Sequence, residues 1–136
     1  MPDTTHAHWR TDRPAEGMYT TELPALPDRP VRTFLPTDYQ RGYAYPLLVA
    51  FHAAGASEET GARLLPRISR RNYLGLSLRG LHADGRGFGW ADADPDALTD
   101  YVFAAVEQTR RTYHVHSERV FLVGVGDGAT AAYRVG

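Results

Sequence analysis

From residue 31 onward, short apolar runs alternate with stretches whose apolar residues recur every three or four positions. Val31 to Leu35 reads as a strand closed by Pro36. A polar, tyrosine-rich loop follows from Thr37 to Pro46. Leu47-Leu48-Val49-Ala50-Phe51 is apolar without a break, as in a strand buried on both faces of a parallel sheet. His52-Ala53-Ala54-Gly55 then turns the chain. Ser57-Glu58-Glu59-Thr60 can cap and start a helix reaching about Arg70, with Leu64, Leu65 and Ile68 on its apolar face. Pro66 inside that span predicts a kink or an early stop. Tyr73 to Leu78 is the next strand, and a loop carrying Gly80, Gly85, Gly87 and Gly89 follows. Pro95 to Tyr113 is the clearest helix: Asp94 can cap it, Pro95 suits its first turn, and Leu98, Val102, Ala105, Val106, Thr109 and Tyr113 repeat at helical spacing. Ser117-Glu118-Arg119 turns the chain into a last strand, Val120 to Gly124, and a glycine turn opens a final helix-like segment, Ala129 to Gly136.

Strands alternating with helices predict an α/β fold: a mostly parallel sheet flanked by helices in three αβα layers. The loops that gather function in such sheets lie at the carboxyl ends of the strands. Here these are His52 to Gly55, Arg79 to Trp90 and Val125 to Ala129. Residues 1–30 carry Pro2, Pro14, Pro24, Pro27 and Pro30 among many charges. They are expected to form an irregular arm, with a short strand near Met18 to Thr21, ahead of a domain portion spanning 31–136. There is no internal repeat.

Composition narrows this little. The 136 residues are 43% hydrophobic and 23% charged, with a net charge of -1. That balance gives no case for nucleic acid or an anionic membrane surface. All 15 basic residues are arginine, which reads as codon usage in a GC-rich genome. The absence of cysteine removes disulfides, thiolate metal sites and cysteine nucleophiles. His6 and His8 lack partner ligands, so no metal is expected. Met1 to Arg13 is polar, without the apolar core of a secretory leader. No run approaches the roughly 18 apolar residues of a membrane span. The expectation is a cytoplasmic protein without cofactor.

The turn Gly124-Val125-Gly126-Asp127-Gly128-Ala129 fits two layouts. One is the dinucleotide fingerprint G-x-G-x-x-[GA], whose glycines let pyrophosphate approach a helix N-terminus. That fingerprint needs a second strand with an acidic residue about 20 positions later. It would also set the Asp127 carboxylate near the phosphates. The other layout is a nucleophile elbow, G-x-S-x-G, a sharp strand-to-helix turn with small residues on both sides of the nucleophile. Gly124 and Gly128 are those residues, and Gly126 holds the nucleophile position. The elbow is the preferred reading. Taking Asp127 as the nucleophile would put Val125 where a small residue is needed. Ser57, Ser69, Ser77 and Ser117 are not placed at an elbow.

The run Tyr45 to Gly55, the stretch Gly87-Phe88-Gly89-Trp90, the helix Pro95 to Tyr113 and the run Glu118 to Gly124 stand in one order. In that order they resemble α/β-hydrolase esterases of the phospholipase/carboxylesterase and polyhydroxybutyrate depolymerase-like branch. The resemblance covers roughly residues 31–136. It implies an incomplete α/β-hydrolase, related to carboxylic ester hydrolases, whose complete homologue takes a small ester substrate. It places the oxyanion-hole N–H groups on Ala53 or Ala54 and on Asp127. Ala53 stands where the family's H-G-x-G loop has glycine. The nucleophile position, Gly126, carries no side chain. The family's acid and histidine follow the nucleophile, and Ala129 to Gly136 supplies neither, so the chain is expected to be catalytically incompetent. His52 and Trp90 fall on the substrate side. His52 reads as a loop anchor ahead of a general base, and Trp90 either lines the pocket or packs over the sheet.

Two alternatives stay open. One is a non-catalytic binding or scaffold module on the same half-sheet; the other is a nucleotide-binding half-domain using Gly124 to Ala129. In the family's strand order a further strand lies beside Val120 to Gly124. Without it that run is an apolar edge, with self-association as the expected consequence. The sequence therefore reads as the N-terminal part of a longer hydrolase, whether a fragment, a frameshift product or a decayed gene.

Overall fold

The computed structural model describes residues 17–23, 26–91 and 93–135. Five strands form one sheet: β1 (Gly17–Leu23), β2 (Leu26–Leu35), β3 (Tyr45–Phe51), β4 (Leu74–Leu78) and β7 (Val115–Gly124). Their order is β1-β2-β4-β3-β7. The β1/β2 and β2/β4 pairs are antiparallel, while β3 runs parallel to both β4 and β7. The sheet is thus mixed, with its parallel part at the β3 end. Among the described residues three helices complete the alternation: α1 (Glu58–Ile68), α2 (Pro95–Thr112) and α3 (Asp127–Val135).

The core explains the apolar runs. Every residue of β4 is buried, and Leu47, Val49 and Phe51 of β3 are at most 1% exposed. Leu74, Leu76 and Leu78 with these β3 side chains pack with Leu98, Tyr101, Val102 and Ala105 of α2 and with Ala131 and Ala132 of α3. A smaller cluster joins Leu65 of α1 to Phe34 and Ala50. The helix ends follow capping chemistry. Ser57 Oγ accepts from the Glu59 N–H (3.2 Å) and Asp94 from the Ala97 N–H (3.2 Å). Pro66 lies in the last turn of α1, which stops at Ile68 rather than Arg70.

Three expectations are corrected. The irregular arm through residue 30 is, from Gly17 on, a strand pair: β1 runs past Thr21 to Leu23, and β2 begins at Leu26 rather than Val31. Proline does not prevent this because the ladder with β1 and β4 resumes at Val31, just after Pro30, so the missing N–H interrupts no pair. The earlier part of the arm, with His6 and His8, lies outside the described residues. The glycine-rich loop contains a hairpin, β5 (His82–Asp84) with β6 (Gly87–Gly89). The turn at Ser117-Glu118-Arg119 is an irregularity within β7: the pairs step from Tyr45↔Val115 to Leu47↔Val120. Among the described residues β7 forms the sheet's outer edge, with Phe121 54% exposed.

Candidate functional site

The carboxyl ends of β3, β4 and β7 converge, and the loop after β3 is held from several sides. Gly55 N–H donates to the Phe88 carbonyl (2.9 Å) and Phe88 N–H to the Ala56 carbonyl (2.8 Å), which docks the β5–β6 hairpin on the loop. Trp90 Nε1–H donates to the His52 carbonyl (2.9 Å), and its ring packs on Phe51 and His52, each 5.2 Å away between centroids. Trp90 is 2% exposed, so packing accounts for most of its surface; its remaining edge meets a cleft shared with Asp127 and Arg134.

His52 is buried and both ring nitrogens are engaged. The Gly80 N–H can only donate, so Nε2 (2.8 Å) is the acceptor and the proton sits on Nδ1, which donates to the Ala53 carbonyl at 2.7 Å. That arrangement anchors the loop to β4 and leaves no free nitrogen to take a proton from a substrate. Burial, ahead of the opposing Ala53 bond and the Glu58 charge, lowers the His52 pKa below its ordinary 6.5. A lowered folded pKa means the unfolded chain binds the proton more readily. His52 therefore adds stability above about pH 6.5 that is lost as the pH falls through its folded value. Urea midpoints for the wild type are expected to drop between pH 7 and pH 5, and His52→Gln to flatten that drop while lowering the pH 7 midpoint. Equal slopes for the two proteins would exclude His52 as the source.

Beside it lies a charged cluster that the sequence reading missed. Glu58, 4% exposed, accepts from Arg79 Nε (2.9 Å) and Nη2 (2.6 Å) in a two-pronged pair. The Arg79 guanidinium stacks 4.3 Å over the Phe88 ring. Its backbone N–H donates to the Tyr101 hydroxyl (3.0 Å), which donates to the Pro30 carbonyl (3.4 Å). Burial pushes the Tyr101 pKa up to about 12. The cluster thus ties α1, β4, the hairpin and α2 together behind the His52 loop. The only sequence signals were an acid at a helix start and an arginine ending a strand, with nothing to pair them.

The glycine turn has the geometry of a strand–turn–helix elbow. Gly126 has φ of +57°, a left-handed conformation that costs other residues strain. A Cβ on Gly124 would lie 2.3 Å from the backbone of Gly128 and Ala129, and one on Gly128 only 2.1 Å from the Phe51 carbonyl oxygen. Both glycines therefore serve close packing of α3 against β7 and the end of β3. Gly126 differs: a Cβ there would meet only the Ala53 Cβ, at 3.7 Å, ordinary contact distance. The structure thus sets Gly126 and Ala53 face to face, with Asp127 next along the chain as the first residue of α3. Ala54 is exposed in the loop. Among the described residues the loop and turn bonds use the N–H groups of Gly55, Ala56, Val125, Gly128 and Ala129, and none uses those of Ala53, Ala54 or Asp127. Among the described residues no cluster of histidine and carboxylate side chains could hold a metal. No helix among them is long and apolar enough to cross a membrane.

No protein-family model and no curated protein matches the chain. Solved structures do. A carboxylesterase from Mesorhizobium loti is 19% identical with a TM-score of 0.63 over 85% of this chain and 57% of its own. An acetyl xylan esterase from Aspergillus awamori is 14% identical with a TM-score of 0.65 over 88% of this chain and 46% of its own. A ferulic acid esterase from Anaeromyces mucronatus is 15% identical with a TM-score of 0.59 over 87% and 52%. This likeness establishes the fold: the chain has the α/β-hydrolase fold, and it spans about half the length of these enzymes.

Proposed function

We propose that the chain is the elbow-bearing portion of an esterase-like α/β-hydrolase whose nucleophile is lost, so that this chain alone does not cleave esters. The observation that carries the reading is Gly126 at φ +57°, facing Ala53, between two glycines that admit no Cβ. This geometry supports an elbow backbone with room for a side chain at its tip. Ala53 or Ala54 and Asp127 would offer the N–H groups of an oxyanion hole, which stabilise charge only once a nucleophile has attacked. The esterase neighbours support carboxylic esters as the substrate class of a complete relative. On this reading the protein acts in the cytoplasm without cofactor, and β7 is the surface through which copies would associate.

The test is hydrolysis of p-nitrophenyl acetate and butyrate by the 136-residue chain, with and without a serine-directed phosphonate inhibitor. The rate is expected to equal that of heat-denatured protein. Turnover abolished by the inhibitor would overturn the reading.

A further inference from the structure

Helix α1 has two working faces. Glu58, Gly61, Ala62 and Leu65 are buried. Thr60, Arg63, Leu64 and Arg67, at i, i+3, i+4 and i+7, line a cavity of about 300 Å³ instead. Its opposite wall is Phe51, His52 and Ala53 at the end of β3, with Val125 of the elbow. The volume is at the lower end of the range for small-molecule sites.

The charges of this cavity are one-sided. The acids nearest in the helix are committed elsewhere, Glu58 to Arg79 and Glu59 to Arg32. Neither Arg63 nor Arg67 makes an ion pair among the described residues, and the lining contains no carboxylate. His52 is neutral in the tautomer its bonds require. Two permanent cations therefore edge a cavity whose other walls include the aliphatic side chains of Ala53, Leu64 and Val125. Guanidinium groups in this setting favour a planar anion that can accept two hydrogen bonds.

We propose that this cavity binds short-chain monocarboxylates, with the carboxylate held by Arg63 and Arg67 and the hydrocarbon laid against Ala53, Leu64 and Val125. This goes beyond the proposed function and needs no nucleophile, so binding and ester cleavage can fail independently. The experiment is calorimetric titration of the full chain with sodium hexanoate, and separately with hexan-1-ol. Hexanoate is expected to saturate one site at least about tenfold more tightly than the alcohol. In the Arg63→Gln/Arg67→Gln variant that advantage is expected to vanish while alcohol binding stays. Both arginines are exposed, so circular dichroism should match the wild type. As a second variant, Arg63→Glu/Arg67→Glu is expected to prefer hexylamine. The proposal fails if acid and alcohol bind equally, or if no saturable binding of hexanoate appears up to about 10 mM. It fails too if a folded Gln variant keeps the preference for the acid.

Discussion

Gly128→Ala is expected to destabilise the chain by about 3 kcal/mol or more, a large share of a domain's total stability. The added methyl would sit 2.1 Å from the Phe51 carbonyl oxygen and 2.5 Å from that of His52. Both obstacles are backbone. Phe51 ends β3, which is held by β4 on one side and β7 on the other, so neither can yield without disturbing the sheet. The start of α3 would have to move away. Urea unfolding followed by circular dichroism reads the effect directly, and a midpoint within error of wild type would mean that α3 docks more loosely than this. Gly126→Ser provides the contrast. Its Cβ has room, so its cost is the left-handed backbone alone, about 1–2 kcal/mol. The two glycines lie two residues apart and should differ clearly.

The second large effect is at Glu58. Removing one partner of a fully buried ion pair costs about 3–5 kcal/mol. The Arg79 side chain is 29% exposed and can recover some hydration, so Glu58→Ala is expected to cost about 2–3 kcal/mol. Burial acts to raise the Glu58 pKa, but the Arg79 bonds, a backbone N–H and the Arg79 charge outweigh it, and the net shift is downward from 4.5. A lowered folded pKa gives stability that is complete above about pH 4.5 and lost as the pH falls through the folded value. The gap in unfolding free energy between wild type and Glu58→Ala should therefore shrink between pH 6 and pH 3. A constant gap would assign the loss to packing rather than charge.

What could be read from the sequence was local or periodic. The β3 run Leu47 to Phe51, the capped helix α2 and the glycine turn from β7 into α3 each carry their signal within a few residues, and each element lies where the sequence places it. The hydrogen bond from Gly80 to His52 and the Glu58–Arg79 pair were not legible, because they join residues 28 and 21 positions apart that only the sheet order brings together. The prolines misled in the opposite way. They mark loops on average, but here Pro30 sits just outside the paired stretch of β2. At Gly126 the sequence shows only a glycine; that a Cβ there would have room beside Ala53 is visible only in three dimensions.

The strand order has a further consequence for how the chain is made. β3 sits between β4 and β7, and both are translated after it. As the ribosome delivers it, the most apolar strand first emerges with both hydrogen-bonding edges open. One edge closes only after Leu78 has emerged and the other only after Gly124. At roughly 5–20 residues per second the second wait lasts on the order of several seconds. Nascent-chain capture by chaperones should therefore peak on arrested chains that contain β3 but stop short of β7.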